Sequence, residues 1–232
     1  MDKMKVAIVG TVHQKGLEFL KDNGFEVLEV SDFNNQSLKN DLKFVDGILL
    51  RTSKLGEDIL SHCTNLKIIS RHGVGYDNVD IDYLNRNKIA LGITSTSNAV
   101  SVAEHVMSFF IYLTKNLSLS DSLVKQGNFE RKSELPNFFE LYKKKVLIVG
   151  FGRIGKEVAK RCKAFDANVY VYDPFVSKDS IKEFGGTKID NLDDGLKMCD
   201  YLSLHVPLTE KTKTMINYSS LKPMKKNVDI IN

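Results

Sequence analysis

Residues 146–155 read Val-Leu-Ile-Val-Gly-Phe-Gly-Arg-Ile-Gly, and their order decides the fold. An apolar, β-branched run stops at Gly150 and the spacing Gly150-x-Gly152-x-x-Gly155 follows at once. Ile154, Val158, Ala159 and Cys162 then recur at helical spacing. Strand, glycine turn and helix in that order predict a dinucleotide-binding turn. Gly150 permits the tight exit from the strand, Gly152 lets the backbone approach a pyrophosphate, and Gly155 lets the helix pack closely on the sheet. The amide groups and positive dipole end of the helix attract phosphates.

The flanking residues extend this unit. Asn168 to Tyr172 reads as the next strand, and Asp173 ends it. That acid lies about twenty residues past the glycines, where a carboxylate hydrogen-bonds the adenosine ribose. A 2′-phosphate a few ångströms from Asp173 would be repelled by roughly a few kcal/mol at intermediate dielectric. Pro174 and Phe175 follow, with no arginine directly after the acid, so NAD is expected rather than NADP.

Composition bounds the remaining possibilities. The chain has 232 residues, enough for one large domain or two smaller ones, and 42% of them are hydrophobic. The net charge of +4 arises from lysines scattered among nearly as many acids. Lys143-Lys144-Lys145 is the one compact basic run and reads as a solvated loop, so nothing points to nucleic acid or membrane. Cys63, Cys162 and Cys199 show no metal spacing and are too few for a disulfide scaffold, so no metal is expected. Buried reduced thiols in a cytoplasmic protein are the preferred reading. Met1 to Val6 enters a strand directly, without a signal-peptide core, and no apolar run approaches membrane-spanning length.

The first hundred residues alternate strands (6–9, 26–30, 46–50, 67–70, 89–93) with helices (15–22, 37–43, 57–63, 82–87), the rhythm of a parallel sheet covered by helices. Gly10 follows the first strand, but no second glycine arrives in register, so this half lacks a dinucleotide turn of its own. Thr94–Asn98 is a candidate hinge. Ser101, with Glu104 three residues on, fits a capping box opening a long helix through Val102, Val106, Phe109, Phe110 and Leu113. Residues 121–141 read as irregular. After the nucleotide unit come a weak strand at 187–189, a strand at 201–205, a short helix at 219–222 and a strand at 228–231, with no internal repeats.

Three further segments carry chemistry. Arg71-His72-Gly73-Val74-Gly75-Tyr76-Asp77-Asn78-Val79-Asp80 follows a strand, and its Gly-x-Gly turn sits where α/β proteins place ligands and can expose amides to a carboxylate. Asn98-Ala-Val-Ser-Val-Ala-Glu104 begins the long helix, and His205-Val206-Pro207 ends a strand. With Arg51-Thr52-Ser53 and the glycine turn, these segments resemble the NAD-dependent D-2-hydroxyacid dehydrogenase family along the whole length from Lys5 to Asn232.

The resemblance implies an α/β fold of two Rossmann-like domains. They are an N-terminal flavodoxin-like substrate domain (1–98) and a C-terminally truncated NAD-binding Rossmann domain (99–232). It gives Gly73, Val74 and Gly75 to the carboxylate of a 2-hydroxy acid and Arg51 and Arg71 to a substrate phosphate, as in 3-phosphoglycerate, with Asn98 beside them. It gives Gly150, Gly152, Arg153, Ile154 and Gly155 to the pyrophosphate, Asp173 to the ribose, and His205, Val206 and Pro207 to the wall of the cofactor pocket. Plainer roles stay open: Arg51 and Arg71 as surface charges paired with acids, Asn98 as a hinge residue, His205 as a strand end bonded to backbone. A homodimer through 101–115 and the segment after it is also implied.

The chemistry implied is hydride transfer between C2 of a D-2-hydroxy acid and NAD, using an arginine, a glutamate and a histidine. All three are expected beyond Asn232, so no catalytic residue is assigned within the chain. Glu104 and His105 are helix neighbours that point apart, and neither His13 nor His72 has an evident carboxylate. The last strand is then expected at an open edge, with poor solubility or dependence on a supplied tail. A non-catalytic NAD-binding module or a fragment of such a dehydrogenase, and a glyoxylate or hydroxypyruvate reductase, are the alternatives.

Overall fold

Parallel strands must be joined by crossovers, and helices supply most of them here. The computed structural model describes residues 3–95, 97–135 and 137–232, in two compact units, Met1–Ser97 and Asn98–Asn232. The first unit runs β1 (Lys5–Val9), α1 (Gln14–Asp22), β2 (Glu26–Glu29), α2 (Asn35–Asp41), β3 (Gly47–Leu50), α3 (Glu57–Leu60), β4 (Ile68–Arg71), α4 (Ile81–Asn87) and β5 (Ala90–Ile93). Its parallel sheet has the order β2-β1-β3-β4-β5, which is that of flavodoxin-like sheets. Ala7, Val9, Ile48, Leu50 and Ile69 form a core with Leu38, Leu42, Ile59, Leu60 and Leu84. Side-chain caps fix the helix starts: the Asn34 side chain accepts the Ser37 N–H at 2.9 Å and Asp80 accepts the Tyr83 N–H at 2.9 Å.

The second unit opens with α5 (Ala99–Thr114), α6 (Leu117–Lys125) and a 3-10 segment (Phe129–Glu134). It continues through β6 (Lys145–Val149), α7 (Arg153–Ala164), β7 (Asn168–Tyr172), α8 (Lys178–Glu183), β8 (Thr187–Lys188), α9 (Leu192–Met198), β9 (Tyr201–Leu204), α10 (Tyr218–Leu221) and β10 (Asp229–Ile231). The order β10-β9-β6-β7-β8, all parallel, is the Rossmann order read from one edge. β6 explains its unbroken apolar sequence. Val146 and Ile148 face α5 and α7, while Leu147 and Val149 pack with Leu196, Cys199 and Leu202 on the opposite face.

One fastening occurs in both units. The Asp46 carboxylate accepts the Lys5 N–H at 2.9 Å and the Lys67 ammonium at 2.8 Å. Asp200 accepts the Lys145 N–H at 2.8 Å and the Lys225 ammonium at 2.7 Å. Each time, the aspartate just before a neighbouring strand holds the first amide of the strand that opens the sheet in chain order.

Several expectations are corrected. The long helix begins at Ala99 with Asn98 as its N-cap, so Ser101 lies inside the first turn and forms no capping box. Glu104 instead reaches Arg161 on α7 at 3.5 Å. The buried face of α5 is Ala103, Val106, Met107, Phe110 and Thr114; Phe109 and Leu113 are exposed. The region 121–141 is not wholly irregular, because α6 and the 3-10 segment occupy part of it. Helices α8 and α9 were not foreseen. Cys162 and Cys199 are buried, but Cys63 is only half-buried. Thr96, within the candidate hinge, lies outside the described residues.

Candidate cofactor and substrate sites

The Rossmann order places a switch point between β6 and β9, where loops leave in opposite directions and a crevice opens at the strands' carboxyl ends. Gly150 leaves β6 there with φ +91°, a left-handed value open to glycine. A Cβ on it would lie 2.5 Å from the His205 carbonyl oxygen and 2.9 Å from Val206 Cγ1. Gly155, in the first turn of α7, would bring a Cβ within 2.2 Å of the Gly150 carbonyl oxygen. Gly152 differs: it is the N-cap of α7, has an ordinary φ of −73°, and a Cβ there meets nothing within 4 Å. Two glycines are thus demanded by the protein's own packing, and the third borders open space.

That open space adjoins the start of α7, whose first turn holds no acid and whose N-cap contributes no side-chain bond. Arg153 and Ile154 occupy this turn, and Ile154 packs partly into the core. Twelve residues of helix therefore direct an uncompensated positive end into the gap, which suits a diphosphate. The neighbouring strand end supplies Asp173. Its carboxylate accepts the Phe151 N–H at 2.7 Å and the Phe175 N–H at 2.9 Å, so it stands directly beside the glycine turn. Phe175 is fully exposed beside it.

His205, Val206 and Pro207 leave β9 across the crevice. The His205 N–H donates to the Val149 carbonyl at 2.7 Å, continuing the β6–β9 ladder. Its ring sits 2.8 Å from the Ser203 hydroxyl, a side chain and not the backbone. Burial pushes its pKa down to about 4, so the imidazole is neutral near pH 7. Ser203 is fully buried, and its role was missed; the strand period of two, which puts 203 and 205 on one face, was the available signal.

In the first unit, Arg51, Arg71 and the 73–75 turn gather at the carboxyl ends of β3 and β4. Arg51 follows β3 beside Gly10, whose φ is +117° and whose Cβ would lie 2.7 Å from that of Arg51; its guanidinium donates to the Thr11 carbonyl at 3.1 Å. Arg71 donates to the His72 carbonyl at 2.8 Å and fills the space a side chain at Gly73 would need. Neither arginine forms an ion pair among the described residues. The Arg71 Nε and Thr94 Oγ1 are buried with no hydrogen-bond partner among them. The turn itself departs from three free amides, because the Gly73 N–H donates to the Arg71 carbonyl at 2.9 Å. Two arginines with hydrogen-bonding capacity unspent can bind an anion. Asn98, at the start of α5, keeps a buried Oδ1 with no hydrogen-bond partner among the described residues.

Among the described residues no histidine lies against a carboxylate: His13 Nδ1 accepts the Lys15 N–H, His62 meets Ser61, His105 packs on Phe109, and His205 meets Ser203. No group of three or more metal-ligating side chains is found among them either.

Residues 107–232 match the profile of the D-isomer specific 2-hydroxyacid dehydrogenase, NAD binding domain. The chain belongs to this family. Members are NAD-dependent oxidoreductases, and the glycine turn described above lies within the matched domain. The D-3-phosphoglycerate dehydrogenase of Archaeoglobus fulgidus is 33% identical over 230 residues, which is 99% of this dehydrogenase-family chain and 43% of the relative. The chain therefore spans less than half the length of that relative. Among solved structures, D-lactate dehydrogenase from Aquifex aeolicus, complexed with NAD and lactic acid, is 33% identical with a TM-score of 0.85, covering 98% of this chain and 68% of that one. The NAD+-bound 3-phosphoglycerate dehydrogenase of Entamoeba histolytica is 26% identical with a TM-score of 0.79, covering 97% and 69%. No helix among the described residues is long and apolar enough to cross a membrane.

Proposed function

We propose that this family member is the cofactor-binding and substrate-anion-binding part of a D-2-hydroxyacid dehydrogenase acting on 3-phosphoglycerate with NAD. The carrying observation is the switch point of the second unit: a glycine turn bordering open space, an uncapped helix start and Asp173 beside them. In this reading, Gly152 and the first turn of α7 receive the diphosphate, Asp173 the ribose, and Val206 and Pro207 the wall of the pocket. Bound NAD would supply the hydride acceptor. Residues 1–98 form the substrate domain. Arg51 and Arg71 hold the phosphorylated acid through their planar guanidinium donors. The preference for a phosphorylated acid is supported by two guanidinium groups free of carboxylates and by the phosphoglycerate-dehydrogenase relatives.

A second reading, a non-catalytic NAD-binding module, uses the same glycine turn and Asp173 and has no need of Arg51 and Arg71. Fluorescence titration with NADH, with and without 3-phosphoglycerate, separates the two. NADH binding that responds to 3-phosphoglycerate supports the dehydrogenase part, NADH binding indifferent to it the module, and no binding refutes both. Replacing Arg51 and Arg71 with alanine should abolish the response to 3-phosphoglycerate and leave that to D-lactate intact. Equal loss for both acids would remove the phosphate assignment. The free cysteines suit a cytoplasmic location. Pairing of two copies through α5 and α6 is supported by exposed Tyr112, Leu113, Leu117, Leu119 and Val124; Leu113→Asp should then shift the sedimentation coefficient from dimer to monomer.

A further inference from the structure

We propose that Asp173 is a positioning residue that latches the glycine turn in the nucleotide-free protein, in addition to any contact with a sugar. The inference rests on the NAD reading above. Phe151 is the middle residue of Gly150-Phe151-Gly152, and its N–H donates to Asp173 at 2.7 Å, a short charge-assisted bond. The second carboxylate oxygen accepts the Phe175 N–H at 2.9 Å. One side chain therefore ties the loop after β6 to the loop after β7.

A turn containing two glycines loses much conformational freedom when it is fixed. Without a latch, an arriving diphosphate would itself have to order the turn, and affinity would fall by that amount. The backbone ties the glycines on either side, the Gly150 N–H to the Tyr172 carbonyl at 2.9 Å and the Gly152 carbonyl to the Lys156 N–H at 3.1 Å. The buried Phe151 ring supplies another tie, packing edge-on to Phe184 at 5.7 Å. Neither sets the direction of the Phe151 amide; the Asp173 bond does. Each carboxylate oxygen has about two acceptor sites, so one on each oxygen stays open to sugar hydroxyls. Holding the turn and gripping a ribose are compatible.

Two measurements test the latch. Amide hydrogen exchange on the nucleotide-free chain should find the Phe151 N–H protected. Asp173→Ala should speed its exchange at least about tenfold, the loss of one charge-assisted bond, while Asp173→Asn, which retains an acceptor oxygen, should restore most of the protection. The second measurement is affinity for an NADH analogue whose adenosine ribose lacks both hydroxyls. A residue acting only through the sugar would make no difference to this ligand, whereas a latch predicts about tenfold weaker binding by Asp173→Ala. An unprotected Phe151 amide in the unmutated chain, or equal affinity of both chains for the analogue, overturns the proposal. The exchange experiment contains no nucleotide, so a failure of the NAD reading, seen as no NADH binding by the unmutated chain, is distinguishable from a failure of the latch.

Discussion

Gly152→Ala and Gly155→Ala should separate binding from folding within a single turn. At Gly155 the new Cβ would lie 2.2 Å from a backbone oxygen, whereas real Cβ contacts stay above 3.0 Å. The carbonyl cannot swing aside as a flexible side chain would, so α7 must retreat from β6 by roughly 1 Å, an overpacking that costs about 1–3 kcal/mol. For a unit of this size that is a fall in Tm of about 3–10 °C. At Gly152 the methyl meets nothing within 4 Å and φ is ordinary, so the stability cost is limited to a poorer N-cap, at most about 1 kcal/mol. The same methyl points into the space assigned to the diphosphate, and about 1–3 kcal/mol of steric conflict there is about a 5- to 150-fold loss of NADH affinity. Thermal melting and NADH fluorescence titration read the two effects, and the absence of tryptophan leaves the NADH emission easy to isolate. Unchanged NADH affinity in Gly152→Ala would refute the placement of the diphosphate. An unchanged Tm in Gly155→Ala would refute the close helix–strand contact.

Three further outcomes follow from the interior. Burial lowers the His205 pKa from 6.5 to about 4, so the unfolded chain binds more protons between those values and stability should decline as pH falls from 6.5 towards 4. The decline amounts to up to about 3 kcal/mol, and His205→Asn should flatten that limb of a Tm-versus-pH curve. Asp46 is held below the usual carboxylate range by the Lys67 ammonium and the Lys5 N–H. At Asp200, burial acts upwards but is outweighed by the Lys145 N–H and Lys225, leaving a lowered pKa. Both aspartates stabilise the fold above about pH 4, and the effect disappears as pH falls through their lowered folded-state values, so Asp46→Asn or Asp200→Asn should lower Tm at neutral pH and weaken its acid dependence. Phe110→Ala removes a fully buried ring that packs edge-on to Tyr201 at 5.2 Å and should cost about 3–5 kcal/mol in chemical denaturation.

The elements legible in the sequence were those whose residues are dictated by the backbone. The strand 145–150, the glycine turn and the helix after it could be read because burial on both faces, a left-handed φ and close packing each admit few residue types. The start of α5 misled because Ser101 and Glu104 have capping-box spacing, yet Asn98 ends the non-helical chain and Arg161 draws Glu104 across to α7. Helix α6 was hidden because it buries no residue; its serines and exposed Leu119 and Val124 leave no apolar stripe to detect. Spacing marked Gly150, Gly155 and Asp173 as candidates, but it carried no information on what Asp173 bonds to. Nor did it reveal that the Gly73 amide is occupied by the Arg71 carbonyl. Those depend on loop geometry, which sequence periodicity does not encode.

The paired fastenings at Asp46 and Asp200 carry a broader consequence. A parallel sheet has no hairpin turns to set how neighbouring strands align, and here a carboxylate in each half adds a side-chain tie to the backbone ladder of one strand pair at the amino-terminal margin. That tie lies away from the opposite margin, so changes to the loops there leave it in place. A scaffold of this kind can acquire a new ligand preference by rewriting only one rim.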